Sequence, residues 1–480
     1  MVKYTSKICI SHREDIYMEN KLTRKYGLFT AICMVVGIVV GSGVFFKAQT
    51  ILTKTGGNMP MGILAWLIGG AIMLVCLLTF SAMGQKYERV NGIVDYAEAT
   101  VGPRYGYFMG WFSATIYFPG MTSALAWLSA RYTLEFVTSS FPNFPMTIPA
   151  AEGGCIIGPE CMALTLFYLC MCFGMNALSP KLAGKFQTST TVIKLIPLSL
   201  MAVVGLIVGL STGTLQENFV TTAEVANVAQ SPLFAAVCAT AFAYEGWIIA
   251  TSINSEIHDS KKNLPKALVI GGIIIVLVYL FYYIGVAGGA TNQQLIDVGA
   301  PIAFTNIFGG VLGNILNLFI AISCLGTCNG LMLGCTRCIY SLADRRKGPK
   351  PEVYSQVDAT TNMPNNSAIF ALLVTAAWFL YFYASNLACI WSGPFVFDST
   401  ELPIITIYLM YLPIFIQWMR KEKEISFLRR FLLPTLALIG SCFMVLACIL
   451  GHRMACVWYL IVFTVIMMIG HFVNKRNEKA

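Results

Sequence analysis

Charge is what this chain has least of. Only 11% of its 480 residues are Asp, Glu, Lys or Arg, less than half the roughly 25% of an ordinary soluble domain, so an extensive water-facing surface is excluded. Histidine is scarce as well, four in all, and His12, His258 and His471 stand in polar segments or at the end of an apolar run. Nucleotide-cradling glycine loops, sets of metal ligands and a nucleophile beside a base are all missing. The expectation is a protein that is not an enzyme and carries neither cofactor nor metal. The first 27 residues are polar and basic, without a short apolar stretch ending in a small-residue cleavage site, so no signal peptide is expected.

What fills the chain is apolar side chain, 57% of it, with mean hydropathy +0.70. Runs of about 20 such residues have the length that crosses a bilayer, and the lipid bilayer is the expected solvent. The net charge of +9 does not indicate nucleic acid, because the basic residues are interleaved with these runs. Most of the 16 cysteines lie inside the runs, where thiols behave as small hydrophobes, so no disulfide framework is expected. Cys324, Cys328, Cys335 and Cys338 have a spacing that suggests zinc in a soluble protein, but their apolar setting without histidine argues against it.

Twelve apolar segments can be delimited, near residues 27–53, 61–83, 106–130, 161–178, 188–210, 233–255, 267–290, 302–325, 367–385, 395–418, 431–450 and 454–474. Twelve is even, so both termini fall on one side. Of the 32 Lys and Arg, only Lys47, Lys54, Arg131 and Arg453 lie in the opposite set of connections, which makes the termini cytoplasmic by the positive-inside rule. Spans 1, 2, 3 and 5 recur as spans 6, 7, 8 and 10 at offsets of about 200 residues, the pattern of duplicated halves. Five spans per half is an odd number, so the second half enters from the other face. The expected organisation is a cytoplasmic segment 1–26, a five-helix repeat 27–210, an inverted repeat 233–418, two further helices in 431–474 and a cytoplasmic tail 475–480.

Two spans carry interruptions at corresponding places. In span 1 the run Val39-Val40-Gly41-Ser42-Gly43-Val44-Phe45 sets two glycines around a serine. In span 6 the run Ala241-Phe242-Ala243-Tyr244-Glu245-Gly246-Trp247 sets a carboxyl group and a glycine at mid-span. Glycine permits unwinding and close backbone approach, and the half-helix beginning near Gly43 would aim bare N–H groups and a positive dipole end at an anion. The half-helices ending near Val39 and Phe242 would offer free carbonyls to an ammonium group. Together these ends describe an α-amino acid. Gly41 and Gly43 alone would equally suit close helix packing; the matching second break is what packing does not require.

At these residues the sequence resembles the amino acid-polyamine-organocation superfamily, in particular its L-type amino acid transporters and bacterial serine/threonine exchangers. The likeness covers nearly the whole chain. It rests on Gly41-Ser42-Gly43-Val44-Phe45, on Phe242-Ala243-Tyr244-Glu245-Gly246-Trp247, on Asn263-Leu264-Pro265, on Asn329-Gly330 leading to Arg337, and on Gly184-Lys185-Phe186-Gln187 leading to Lys194. The resemblance implies an all-α polytopic membrane fold of about twelve helices with a five-plus-five inverted repeat and discontinuous helices 1 and 6. It implies a substrate carboxylate at Ser42 and Gly43, an ammonium at the carbonyls of Val39, Phe242 and Glu245, and Phe242 as an aromatic gate. The segment Tyr87-Glu88-Arg89-Val90-Asn91-Gly92 departs from the family's double-glycine pattern. Cys155 and Cys161 lie roughly where animal relatives bond a glycoprotein heavy chain; such a partner is not indicated, and a local disulfide or free thiols are both open.

Two ionisable residues fall within spans, where charge is costly and functional by default. By resemblance Lys194 occupies the place of a sodium ion, bridging helices 1 and 8; a lysine snorkelling to the cytoplasmic face is the plainer alternative. Glu245 either attracts a cationic substrate or is a hydrogen-bonded carboxyl that shapes the break. Asp398 and Glu401 are expected to border the vestibule. The expected function is a sodium-independent exchanger of neutral, or cationic, L-amino acids in the plasma membrane. Proton symport and a non-transporting amino acid sensor are the alternatives, and oligomeric state is not fixed by the sequence.

Overall fold

A chain this apolar meets a solvent that cannot hydrogen-bond its backbone, and helix is the state in which each segment pairs its own N–H and C=O groups. The computed structural model describes residues 24–41, 43–87, 91–147, 158–223, 231–388, 390–391 and 393–477. Among them the regular structure is helical, with a single parallel bridge between Tyr26 and Ile257. Ten helices among the described residues are long and apolar enough to cross a membrane, or eleven if one bent pair counts as a single span.

That pair is α1 (Leu28–Val39) and α2 (Gly43–Lys54), which meet at 49°. There follow α3 (Met59–Lys86), α4 (Phe118–Ser140), α5 (Pro159–Leu178), α6 (Pro180–Leu200), α7 (Pro232–Ala243), α8 (Ser260–Gly289), α9 (Gly310–Asp344), α10 (Asn365–Phe382), α11 (Glu401–Lys421), α12 (Leu433–His452) and α13 (Met454–Asn477). The expected third span, 106–130, is helical from Pro103 through a π-helical turn at Ser113–Tyr117 into α4. It is not among the ten. Residues 111–127 are buried without a gap, and a helix wrapped by protein needs no lipid-facing hydropathy.

The eighth expected span, 302–325, needs correction. A short helix Ala300–Phe308 ends there, Gly309 turns the chain at φ +85°, and α9 continues to Asp344. Sequence hydropathy undercounts α9 because its second half carries Asn329, Thr336 and Arg337, all buried by neighbouring helices. Residues 326–343 are buried without interruption, against α4, α6 and α10, and this helix is the axis of the molecule. α8 packs along α3 and α1 on the other side. Gly205 and Gly288 bring the chain beyond α6 so near α8 that a Cβ on either would strike opposing backbone, the small-residue contact that lets membrane helices approach. α13 is peripheral, with 11% of its most apolar stretch buried.

Candidate functional site

α1 stops at Val39 because Val40 leaves helical space, at φ −72° and ψ 85°. The Val40 N–H still reaches Val36 O at 2.8 Å, but the Gly41 N–H turns back on Val39 O at 2.8 Å. The carbonyls at the end of α1 therefore lose their intrahelical donors. α7 stops in the same manner: Tyr244 N–H closes the last turn on Thr240 O at 2.9 Å, and Gly246 at φ +104° redirects the chain into a 3-10 segment, Trp247–Glu256. Only glycine adopts that φ without strain.

The two interruptions touch. A Cβ on Gly43 would lie 2.8 Å from Ala243 Cα and 3.4 Å from Phe242 Cδ1, and one on Gly246 would lie 3.0 Å from Ile38 Cγ2 and 3.5 Å from Ile38 O. Val39, Gly41, Gly43, Phe242 and Glu245 are all buried here. Ser42, the expected carboxylate contact, lies outside the described residues, as do Cys155 and Glu88-Arg89-Val90.

The bared carbonyls have partners from three other helices. Tyr279 on α8 sets its hydroxyl 2.9 Å from Val39 O and 3.0 Å from Ala243 O, so one O–H is shared between the two breaks. Lys194 on α6 is fully buried and does not snorkel. Its ammonium donates to Gly37 O and Val40 O, both at 2.6 Å, and to Ser323 O at 3.1 Å, tying α1 to α9. Ser323 and Thr327 add hydroxyl donors to Val40 O and Gly37 O, at 3.2 Å each. Glu245 is 2% exposed and accepts a short hydrogen bond from the Tyr117 hydroxyl, while its Oε2 has no hydrogen-bond partner among the described residues.

Sequence reasoning named Lys194 and Glu245 but missed Tyr279, Tyr117, Ser323 and Thr327. A tyrosine in mid-span was the available signal for the first, since a buried phenol usually finds a partner. The two hydroxyl residues of α9 looked like ordinary small residues of a membrane helix.

On either side of the breaks the path is fastened. On α2, Lys47 pairs with Glu401 at the start of α11, and His452 Nε2 lies 3.0 Å from the other oxygen of Glu401. The Lys47 ammonium also sits 5.3 Å from the centre of the Phe242 ring. Glu401 is thus a fastening group, intermediate in exposure. Before α1, Glu256 pairs with Arg337 at 2.7 Å, both fully buried, and with Lys25 at 3.6 Å. The Lys25 and Tyr26 N–H groups add bonds to Glu256 O at 2.7 and 3.0 Å. A slit lined by Tyr26, Ile38, Gln187, Ile249 and Asn329 on that side has room for about one water. This is a closed site with a fastening at each end.

The profile of the amino acid permease family matches residues 26–472. The chain is 27% identical over 455 residues to the serine/threonine exchanger SteT of Bacillus subtilis (strain 168), covering 93% of this chain and 94% of that one. It is 25% identical over 366 residues to the large neutral amino acids transporter small subunit 2 of Mus musculus, covering 74% of this chain and 64% of that one. To the Asc-type amino acid transporter 1 of the same species it is 25% identical over 356 residues, 74% and 63% of the two chains. The polytopic helical fold, the paired breaks and this match agree: the chain belongs to the amino acid permease family.

Proposed function

We propose that this protein is a sodium-independent exchanger of neutral L-amino acids, working by alternating access between two fastenings. The observation that carries the reading is the contact between two interrupted helices, one offering N–H groups from Gly43 onward and both offering carbonyls, in a buried setting where such groups bind a zwitterion. Substrate carboxylate at Ser42 and Gly43, and ammonium among the carbonyls of Val39, Phe242 and Glu245, are the assigned contacts. In the closed site Val39 O is held by Tyr279, so an arriving substrate displaces or shares that hydroxyl. Phe242, beside Gly43 and under Lys47, is the gate.

The Lys194 ammonium fills a nest of carbonyl and hydroxyl oxygens of the kind that binds a hard monovalent cation, which supports sodium independence. The breaks fall in the first element of residues 27–210 and of residues 233–418, which supports reading these as the two inverted repeats with α12 and α13 outside them. The excess of Lys and Arg on the side of the termini supports a cytoplasmic location for both in a plasma membrane. Exchange is favoured over symport by the nature of the relative that matches along the full length.

Purified protein in liposomes, loaded with unlabelled serine and offered labelled serine, should show counterflow that vanishes when the lumen is empty and is indifferent to sodium. Binding without counterflow would make it a sensor. Net uptake into empty vesicles under an imposed proton gradient would make it a symporter.

A further inference from the structure

Among the described residues, one group of side chains outside the breaks has metal-ligand chemistry. Cys238 on α7, Cys448 on α12 and His452 at the last turn of α12 bring two thiol sulfurs and an imidazole nitrogen within 4.8 Å of one another. Both cysteines are buried and neither is in a disulfide, while His452 is partly open to the surface at the end of its helix. The open edge supplies an access path, and the buried pair supplies soft donors.

The surroundings resemble a supported ligand set rather than chance neighbours. Cys448 and His452 are four residues apart on α12, so both face the same side of that helix. His452 Nε2 is engaged with Glu401 Oε2 at 3.0 Å, and a carboxylate on one ring nitrogen fixes the tautomer and turns the other nitrogen toward a metal. Nδ1 is thereby the nitrogen left to coordinate. Two thiolates and an imidazole are the donor set of a tetrahedral soft cation with its fourth position open to water.

We propose that Cys238, Cys448 and His452 form a binding site for a soft divalent cation, Zn2+ or Cd2+, that clamps α7 to α12 and arrests transport. Binding releases the two thiol protons to solvent as the metal–sulfur bonds form, with no change of oxidation state. α7 is the half-helix that ends at the second break, and it packs on α2, α3 and α12. A bridge from Cys238 to α12 ties it to an element outside the proposed repeats, so the half-helix is held while substrate contacts are untouched. Inhibition is therefore on turnover and not on apparent affinity. The arrest rests on the transport reading; the metal site does not.

The test uses the full chain, reduced and purified, titrated with Cd2+ while the ultraviolet thiolate-to-cadmium charge-transfer band is followed, beside Cys448→Ser, Cys238→Ser and His452→Gln. The other cysteines make the difference from wild type the measured quantity. The expected result is one tight equivalent in wild type, absent in both serine variants and weakened ~10–100-fold in His452→Gln, the scale of a lost ligand or its support. In liposomes, Zn2+ should lower the maximal counterflow rate with KM unchanged, reversibly with chelator, and each variant that still transports should escape it. A cadmium titration indistinguishable between wild type and all three variants overturns the site. A normal titration difference with zinc-insensitive wild-type counterflow overturns the clamp while leaving the site, and absence of counterflow altogether overturns the transport reading alone.

Discussion

Lys194 shows why a charge survives in the interior of an apolar bundle. Its ammonium meets three backbone carbonyls within 3.1 Å, so the cost of burial is offset by charge-assisted hydrogen bonds, which the Ser323 and Thr327 hydroxyls supplement with longer neutral ones. Lys194→Met, which keeps the length and removes the charged donors, should abolish counterflow and leave Gly37 O and Val40 O with only the longer hydroxyl bonds from Thr327 and Ser323, at ~1.5–3 kcal/mol for each hydrogen bond to the charged group that is lost. A drop in the thermal midpoint together with lost flux is the expected pair; full flux in the variant would remove Lys194 from the coupling machinery. Glu245 is the contrasting case, a buried carboxyl with a tyrosine hydroxyl for company and no ion pair among the described residues. Glu245→Gln preserves the shape and the acceptor, and neutral substrate exchange should stay within about twofold of wild type, whereas Glu245→Ala leaves Tyr117 unsatisfied and should lose most activity. Loss of activity in the glutamine variant would show that the carboxyl's charge is used.

At the scale of elements, the breaks were legible because glycine beside a polar residue recurs at corresponding mid-span places in two helices, a coincidence that close packing does not require. Their mutual contact was not, since no residue in either run encodes its partner. Gly43 makes the point: the nearest atom to a methyl group there would be Ala243 Cα, a backbone atom that cannot rotate aside. Gly43→Ala should push the two interrupted helices apart by a few tenths of an ångström or more and raise the serine KM at least tenfold, read in the same counterflow assay. An unchanged KM would mean the contact is not part of the site. The eighth span was the least legible element, its bounds displaced along α9, whereas the third, expected at 106–130, does lie within a helix running from Pro103 to Ser140. Both are surrounded by protein over long stretches, so hydrophobicity, which reports lipid contact, undercounts the polar residues that neighbouring helices satisfy, as with Arg337 against Glu256. Tyr279 was hidden in a run of apolar residues whose helical nature was plain but whose facing was not.

For the molecule as a whole, the fastenings on either side of the breaks are both closed, and they differ in depth. The Glu256–Arg337 pair is wholly buried, and removing one partner of such a pair costs ~3–5 kcal/mol because the other charge stays behind. Arg337→Met should therefore lower the unfolding midpoint strongly and make the slit between Ile38 and Asn329 reactive toward a thiol reagent at an introduced Ile249→Cys. A second ionic contact, outside the spans, contributes to acid behaviour. Burial alone would raise the Glu422 carboxyl's pKa, but hydrogen bonds from Lys86 and Tyr87 outweigh it and hold it below the usual carboxylate range. A depressed carboxylate contributes stability above its unfolded-state pKa and loses it as pH falls through the folded-state value. Glu422→Gln should thus be less heat-stable than wild type at neutral pH, with the gap closing in the acid range below the normal titration of glutamate, as followed by thermal scans in buffered detergent.

The bridge of Tyr26 to Ile257 has a mechanical consequence. Backbone bonds run from Lys25 and Tyr26 to Glu256 and from His258 back to Tyr26, so the stretch just before α1 is stitched along its length, not pinned at a point. Stitches give way in succession from a free end, which makes release gradual and sensitive to tension. A grip on the chain immediately ahead of Lys25, by an antibody fragment or a rigid fusion, would therefore load these bonds first and pull on the start of α1 from a distance, without approaching the two breaks.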